Sequence, residues 1–514
     1  MKLYTKFLSV FALSVVALIT SCTGDLNVDP IDPNLDTPNK VLQTENNYKQ
    51  LLAKCYSALS VSSPDGSSGD PDISGIDGGF GQYLRALYNL NELTTDEAVI
   101  GWNDQTVKDL HGLSWSSSDV FIAAMYGRLF YQIALCSEVV RQINSSGLTT
   151  DNMKTFAAEA RCLRALSYYH AIDMFGNVPF ITEDQAIGGA NPERISRADL
   201  FKWLTETEIP GFIDDLKDGM TNEHYRADKG LAEMILAKLY LNAEVYTGTA
   251  MYDKCAEACN KIIAMGYSLE PVYSNLFKGD NDKCLDNEII FSVYQDEYNT
   301  QAYGGTTYLM LGGMGGGMIP SDYGLTASGW GGIRVTPQFV DKFPKGDVRA
   351  TFYTNGQTKD IADLSEFTNG YAYPKYSNLN RDGSAGIQGT FANCDFVVFR
   401  LADVYLMLSE CSLRGVSGID GVGYFNKVRE RAGVSDKLSI TLADVLDERA
   451  RELAWECHRR SDLIRFGELT GDSYIWSWKG KVQNGTSVDS KYNLFPIPSS
   501  DLNANTNLIQ NPGY

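Results

Sequence analysis

The stretch ERARELAWECHRRSDLIRFG, residues 448–467, places five arginines and four acids on one helical pattern with an apolar series. Leu442, Leu446, Leu453 and Cys457 recur at helical spacing, so a single helix is predicted over 441–469, opened by a Thr441/Asp444 capping pair. One face of it goes to a core. Arg449, Arg451, Arg459, Arg460 and Arg465 must then find carboxylates, carbonyls or water. Such runs are ordinarily solvated along one side; the stronger reading is a structural clamp that ties neighbouring segments through its arginines.

Outward from this stretch, further helices are expected at 40–60, 118–145, 151–175, 196–216, 228–246, 252–265, 397–414 and 419–431. Phe156, Ala160, Leu163, Leu166, His170 and Phe175 trace one stripe, and Gly176 and Pro179 end that helix. His170 on the stripe reads as a packed histidine. Helix pairs such as LAEMILAKLYLNAEVY followed by YDKCAEACNKII look like degenerate tetratricopeptide units, although their spacing is irregular. The fold class is therefore mainly α. Residues 60–81, rich in Gly, Ser and Asp, read as a surface loop. From about 270 to 395 the helix signals fade, and 304–332 holds eleven glycines in 29 positions. No GxxxxGK[ST] occurs there, so this is not a phosphate loop; glycine instead permits close approach of a ligand to the backbone.

Lys2 and Lys6, an apolar run from Phe7 to Ile19, and Ile19-Thr20-Ser21-Cys22 read as an export signal of 21 residues with lipidation at Cys22. The apolar run is too short to span a bilayer, and no other stretch reads as long and apolar enough. TGDLNVDPIDPNLDTPN behind the cysteine, with four Asp and three Pro, reads as a tether. Net charge is 44 − 64 = −20, which argues against nucleic acid and leaves neutral sugars as ligands. Ten cysteines leave an odd nine after lipidation, which is no disulfide framework. Cys162, Cys255, Cys259, Cys411 and Cys457 fall in expected helices as small hydrophobes, and four histidines are too scattered for a zinc site.

Four other stretches accompany 448–467: AEARCLRALSYYHAIDMFGNVPF (158–180), FRLADVYLMLSE (399–410), YFNKVRERAG (424–433) and NLFPIPSSDLNANTNLIQNPGY (493–514). Their order and wording resemble the SusD/RagB family of outer-membrane lipoproteins, in particular its starch-binding members. The resemblance implies an α-helical scaffold of tetratricopeptide-type pairs with an irregular, loop-rich ligand-binding region. Its expected organisation is a signal at 1–21, lipidated N-terminus and tether at 22–39, N-terminal helical region at 40–270, loop-rich insertion at 271–395 and C-terminal helical region at 396–514. It also implies surface capture of a glycan, most simply a starch-like α-glucan, for a TonB-dependent SusC-like transporter, without catalysis or cofactor.

Trp330 in SGWGG has no neighbouring side chains to pack on, so it folds back or waits for the flat face of a sugar ring. Under the resemblance, Trp102, Tyr303 and Trp330 match an aromatic arc, and Asp72, Arg85, Asn103 and Gln105 lie in or beside the matching loops as hydrogen-bonding groups. Asp280, Asp282 and Asp286 offer oxygens to a calcium ion, but the loop lacks EF-hand spacing and reads first as a solvated acidic loop. Three rival readings are kept. One is a lipid-anchored glycoside hydrolase, which needs two carboxylates about 5 to 10 Å apart. The others are a RagB-like peptide-import protein and a scaffold that binds only protein.

Overall fold

The computed structural model describes residues 38–185 and 188–514. The expected signal, Cys22 and all but the last two residues of the tether lie outside the described residues. Two units are distinguished, ending and beginning at Asn47 and Tyr48. In the first, Pro38–Val41 makes a single helical turn, and the Thr44 N–H and hydroxyl both donate to Asn47 Oδ1. The helix expected over 40–60 is thus interrupted, and α1 runs Glu45–Ser60.

The second unit is mainly helical. After the 60–81 loop come α2 (Tyr83–Asn91), β1 (Val99–Ile100) and α3 (Gln105–His111). Then α4 (Val120–Ser145) and α5 (Asp151–Met174) pack as a long hairpin. Asp119 Oδ1 accepts the N–H groups of Phe121 and Ile122 at the start of α4, and Thr150 caps α5, so each helix begins where a side chain replaces the missing carbonyl partners. By length and composition α4 could cross a membrane, contrary to the sequence reading, but most of it is buried, including Arg128. It is a core helix.

The helix expected at 196–216 stops early: Arg197–Trp203 is α-helical, Leu204–Glu208 widens to a π-turn, and only Ile213–Asp215 continues as a 3-10 turn. Next, α6 (Lys229–Leu241) packs on α7 (Tyr252–Ala264). The loop-rich region contributes β2 (Ile289–Val293), the short buried helix α8 (Gly305–Gly312) and β3 (Ile333–Arg334). Residues 397–400, expected as helix, belong instead to β4 (Phe396–Arg400), antiparallel to β2; the helix proper is α9 (Leu401–Leu413), paired with α10 (Gly421–Arg431).

The segment that opened the sequence reading is two helices. α11 (Leu442–Glu452) starts with the expected capping box, in which Thr441 Oγ1 accepts from Asp444 N and Asp444 Oδ2 accepts from Thr441 N. The chain then breaks, with Trp455 and Cys457 at φ 60° and 68°, before α12 (Arg459–Arg465). Buried acids between α2 and β1 compensate the break. Glu97 accepts the Trp455 N–H at 3.2 Å, its carbonyl accepts the Trp455 indole N–H at 3.2 Å, and Glu92 accepts the Cys457 N–H at 2.6 Å. Those bonds replace the helical ladder, and a periodicity read from 441–469 alone cannot register them.

The arginines of this segment are buried, not solvated. Arg449 bridges Asp403 of α9 (2.6 Å) and Asp462 (2.7 Å); Arg465 clasps Glu410 and Asp462. Arg459 takes Asp96 at 2.7 and 2.8 Å, and Arg460 donates to the Tyr492 carbonyl while lying over the Phe495 ring. Arg349 and Arg400 complete the network on Asp347, Glu448, Glu452, Glu456 and Glu288. The ion pairs of this keel join the 399–410, 424–433 and 448–467 motifs; Arg460 reaches the 493–514 motif through the Phe495 ring, and Ser461 adds the 158–180 motif by donating to Asp173. His170 is a packed residue, bonded to the Tyr83 hydroxyl at 2.7 Å and pushed down to about 3 by burial, hence neutral. Among the described residues the nine cysteines are free, and of these only Cys457 is not fully buried.

Candidate functional site

Trp102 and Trp330 leave the same end of a small ribbon. β1 and β3 are antiparallel with Ile100 opposite Ile333, and Gly101 N–H donates to the Gly332 carbonyl at 3.1 Å. The 330–332 turn is strapped across the end of α8, since the N–H groups of Trp330, Gly331 and Gly332 donate to Leu311, Met314 and Gly312 at 2.7, 2.8 and 2.9 Å. Trp102 Nε1 donates to the Trp330 carbonyl at 3.2 Å. A Cβ at Gly332 would lie 2.5 Å from the Trp102 ring, so glycine there lets the indole rest on bare backbone.

Tyr303 arrives from the turn that starts α8. Gln82 organises that turn: its Oε1 accepts the Gly305 and Arg85 N–H groups at 3.1 and 3.0 Å, while its Nε2 donates to the Leu59 and Ser60 carbonyls. A Cβ at Gly304 would sit 2.2 Å from that same oxygen, which explains the Gly304-Gly305 pair in chemical terms.

The three rings form one series with Trp330 in the middle. Its centroid is 6.2 Å from Trp102 at 48° and 5.9 Å from Tyr303 at 61°, so successive planes turn and the series is curved. Tyr308 of α8 stands behind, 6.1 Å from Trp102 and 6.4 Å from Trp330. Tyr88 links Tyr308 (5.9 Å) to Trp455 (5.6 Å), so the break in the keel supports the arc from below. Trp102 and Trp330 are half-buried, and Tyr303 is 37% exposed. Large rings held by backbone straps and left partly wet present a stacking surface.

Arg85 of α2 lies with its guanidinium 4.4 Å over Tyr308 and 6.0 Å from Trp102, and donates from Nη1 to the Tyr303 carbonyl at 3.1 Å. Burial lowers its pKa, and among the described residues its Nε has no hydrogen-bond partner. Asn103 and Gln105 are exposed beside Trp102; Asn103 Oδ1 accepts from Lys108, and Gln105 Nε2 donates to Asp109 at 2.9 Å. Asp72 is held elsewhere. It pairs with Arg128 at 2.8 Å, and Arg128 Nε donates to the Gly81 carbonyl, so Asp72 fastens the 60–81 loop to α4. Thus the structure gathers Trp102, Tyr303, Trp330 and Arg85, sets Asn103 and Gln105 at the margin, and gives Asp72 a different set of partners.

The carboxylates of the acidic loop turn to separate partners. Asp280 accepts from Lys283 and from Arg381 N–H, Asp286 faces His224 at 3.0 Å, and Asp282 is half-buried nearby. Among the described residues no group of three or more His, Cys, Asp or Glu side chains is placed to hold an ion. Sequence reading missed Gln82, Tyr308 and Gly332. Tyr308 sits in TTYLML, which reads simply as core, and the bond by which Gln82 orders the turn at Gly305 joins positions 223 apart.

Residues 345–514 match the model of the SusD family. Over nearly the whole chain the sequence is 34% identical to the starch-binding protein SusD of Bacteroides thetaiotaomicron, covering 99% of this chain and 100% of that one. The chain belongs to the SusD family. A SusD-like protein of Bacteroides ovatus is 25% identical, covering 70% of this chain and 68% of its own length. The SusD fold is shared with a SusD superfamily protein from Parabacteroides distasonis, at a TM-score of 0.71 and 22% identity, covering 91% of this chain and 99% of that chain. Surface glycan-binding protein A from Bacteroides uniformis gives the same TM-score of 0.71 at 21% identity, over 91% of this chain and 99% of that one.

Proposed function

We propose that this SusD-family chain is a non-catalytic, lipid-anchored cell-surface protein that captures a starch-like α-glucan and passes it to a TonB-dependent SusC-like outer-membrane transporter. The curved Trp102–Trp330–Tyr303 series carries the reading. Sugar rings stack on aromatic faces, and planes that turn by 48° and 61° suit a chain that itself coils better than a flat ribbon. Arg85, Asn103 and Gln105 stand where hydroxyls of a stacked chain need partners. The three rings supply stacking faces and none of the paired carboxylates that glycoside hydrolysis uses, which favours adsorption over hydrolysis. The 34% identical relative named as a starch-binding protein supports the α-glucan; because a structural neighbour at 19% identity is solved in complex with laminarihexaose, laminarin is the first alternative to test. Several weak contacts along one polymer favour long chains over short ones. The transporter and the outer-membrane address rest on family membership and on the Cys22 reading.

The test is affinity electrophoresis of residues 23–514 through gels containing amylopectin, laminarin, levan, xylan, mannan or no polymer, with reducing sugar measured in parallel. Retardation by amylopectin without sugar release is expected. Retardation by another polymer would replace the α-glucan, release of reducing sugar would replace adsorption with hydrolysis, and no retardation would move the reading to peptides or protein partners. Copurification with an outer-membrane transporter tests the last step.

A further inference from the structure

One carboxylate holds the loop behind the outermost ring of the arc. Glu297, 4% exposed, accepts the N–H groups of Ile387, Gln388 and Gly389 at 2.9, 2.7 and 3.3 Å. Three successive amides converging on an anion make a charge-assisted nest, stronger than the same bonds to a neutral acceptor. The grip is reciprocal, because Glu297 N–H donates to Asn393 Oδ1 at 3.0 Å, and Gln301 Nε2 donates to the Glu297 carbonyl at 2.9 Å. Thr326 holds the far side through the Gly389 and Gln388 carbonyls, and Ala392 N–H donates to Thr307 of α8 at 2.9 Å.

The same loop delivers Phe391, which is 6% exposed and packs 5.5 Å from Tyr303 at 43°. At its tip Ile387 is 86% exposed. Polar bonds therefore fix the loop, and Glu297 supplies three of them.

Building on the glycan-binding reading, we propose that Glu297 is a positioning residue for the platform, holding Phe391 against the back of Tyr303 so that the exposed face of that ring stays in line with Trp330. Without the carboxylate the 386–391 loop samples other conformations and Tyr303 loses its backing. Apparent affinity then falls by the fraction of time the ring is in place, about five- to ten-fold if that fraction is about 10–20%.

The experiment compares the wild-type protein with Glu297→Ala and Glu297→Gln by amylopectin affinity, hydrogen exchange and crystallography. Glu297→Ala is expected to speed exchange at 387–389 while the α5 amides keep their protection, to weaken polymer binding about five- to ten-fold, and to free the Tyr303 ring from Phe391. Glu297→Gln keeps the side-chain shape but only one of the two accepting oxygens, and its –NH2 faces at least one of the three amides, so its affinity is expected to fall between those of the wild type and Glu297→Ala; a purely structural role would change melting temperature without this ordering of affinities. Unchanged affinity in Glu297→Ala despite faster loop exchange overturns the proposal, and so does a Tyr303 ring unmoved in the Glu297→Ala crystal structure. If the wild-type protein binds no polymer, the glycan reading fails by itself, and the exchange rates and the Tyr303 ring still decide whether Glu297 positions it.

Discussion

In the keel, Arg349, Arg400, Arg449, Arg459 and Arg465 each meet a buried carboxylate within 2.8 Å, and all are closed to solvent. In the arc, the rings are held by backbone straps, Arg85 has no carboxylate partner within ion-pair distance among the described residues, and Tyr303 faces water. The difference separates two jobs. Buried ion pairs add little net stability compared with apolar packing, but each is costly to break, so the keel fixes which segments meet. The arc leaves surface unsatisfied, and a ligand can supply what is missing. Trp455 connects the two, standing in the break between α11 and α12 and supporting Tyr308 through Tyr88.

The largest effect should come from breaking the keel. Arg400→Ala leaves Glu288, Glu452 and Glu456 short of a shared cation, and should cost about 3–5 kcal/mol in denaturant unfolding. Wild-type unfolding of that variant would show that the keel is not the structural half of the comparison.

Gly332→Ala sharpens the boundary from the other side. A methyl 2.5 Å from Trp102 must move the indole, so polymer affinity should drop about ten-fold, with a stability cost of about 1–3 kcal/mol. If affinity survives, Trp102 is not held as part of the arc.

Proton linkage distinguishes charges within the keel. Burial would raise Asp96, but the Arg459 guanidinium overrides it and pulls the carboxyl down to about 2. Its contribution is present above the free aspartate value near 4 and is lost as pH falls through about 2. Burial pushes Glu97 up to about 8, so its contribution is full below the free glutamate value and is lost as pH rises through about 8. Urea titrations should show stability falling on both sides of roughly pH 4, by no more than about 1.4 kcal/mol per pH unit for each proton. Glu97→Gln should make the alkaline limb shallower; an unchanged limb would mean that Glu97 is ionised in the folded protein.

The smallest effect is expected at the margin of the arc. Gln105 already donates to Asp109, so Gln105→Ala should change polymer affinity less than about two-fold and stability by less than about 0.5 kcal/mol. A larger loss of affinity, measured by titration with amylopectin, would make Gln105 a main partner of the sugar hydroxyls instead of a marginal one.

Local signals made much of the helical fold legible. Helical patterning located α4, α5, α6, α7 and α10, Gly176 marked the end of α5 and the Thr441/Asp444 pair the start of α11, because the physics that starts and stops a helix lies within a few residues. The break at Trp455 escaped notice because its acceptors, Glu97 and Glu92, are 358 and 365 positions away. Trp330 was legible as an unpacked ring among glycines, whereas Tyr303 and Trp102 needed the family resemblance to stand out from core aromatics. Asp72 shows the limit of that route: position in a matching loop did not reveal its bond to Arg128. Glu297 carried no sequence signal, since its acceptors and donors come together only when 297 and 387–389 fold side by side.

The central claim is that the curved ring series is the binding surface, and Trp330, its middle member, tests it most directly. Wild-type protein and Trp330→Ala should be run side by side through amylopectin and plain gels, after circular dichroism confirms equal folding. The wild type is expected to be retarded by amylopectin and Trp330→Ala to migrate as in the plain gel. Equal retardation of the two proteins would contradict the claim.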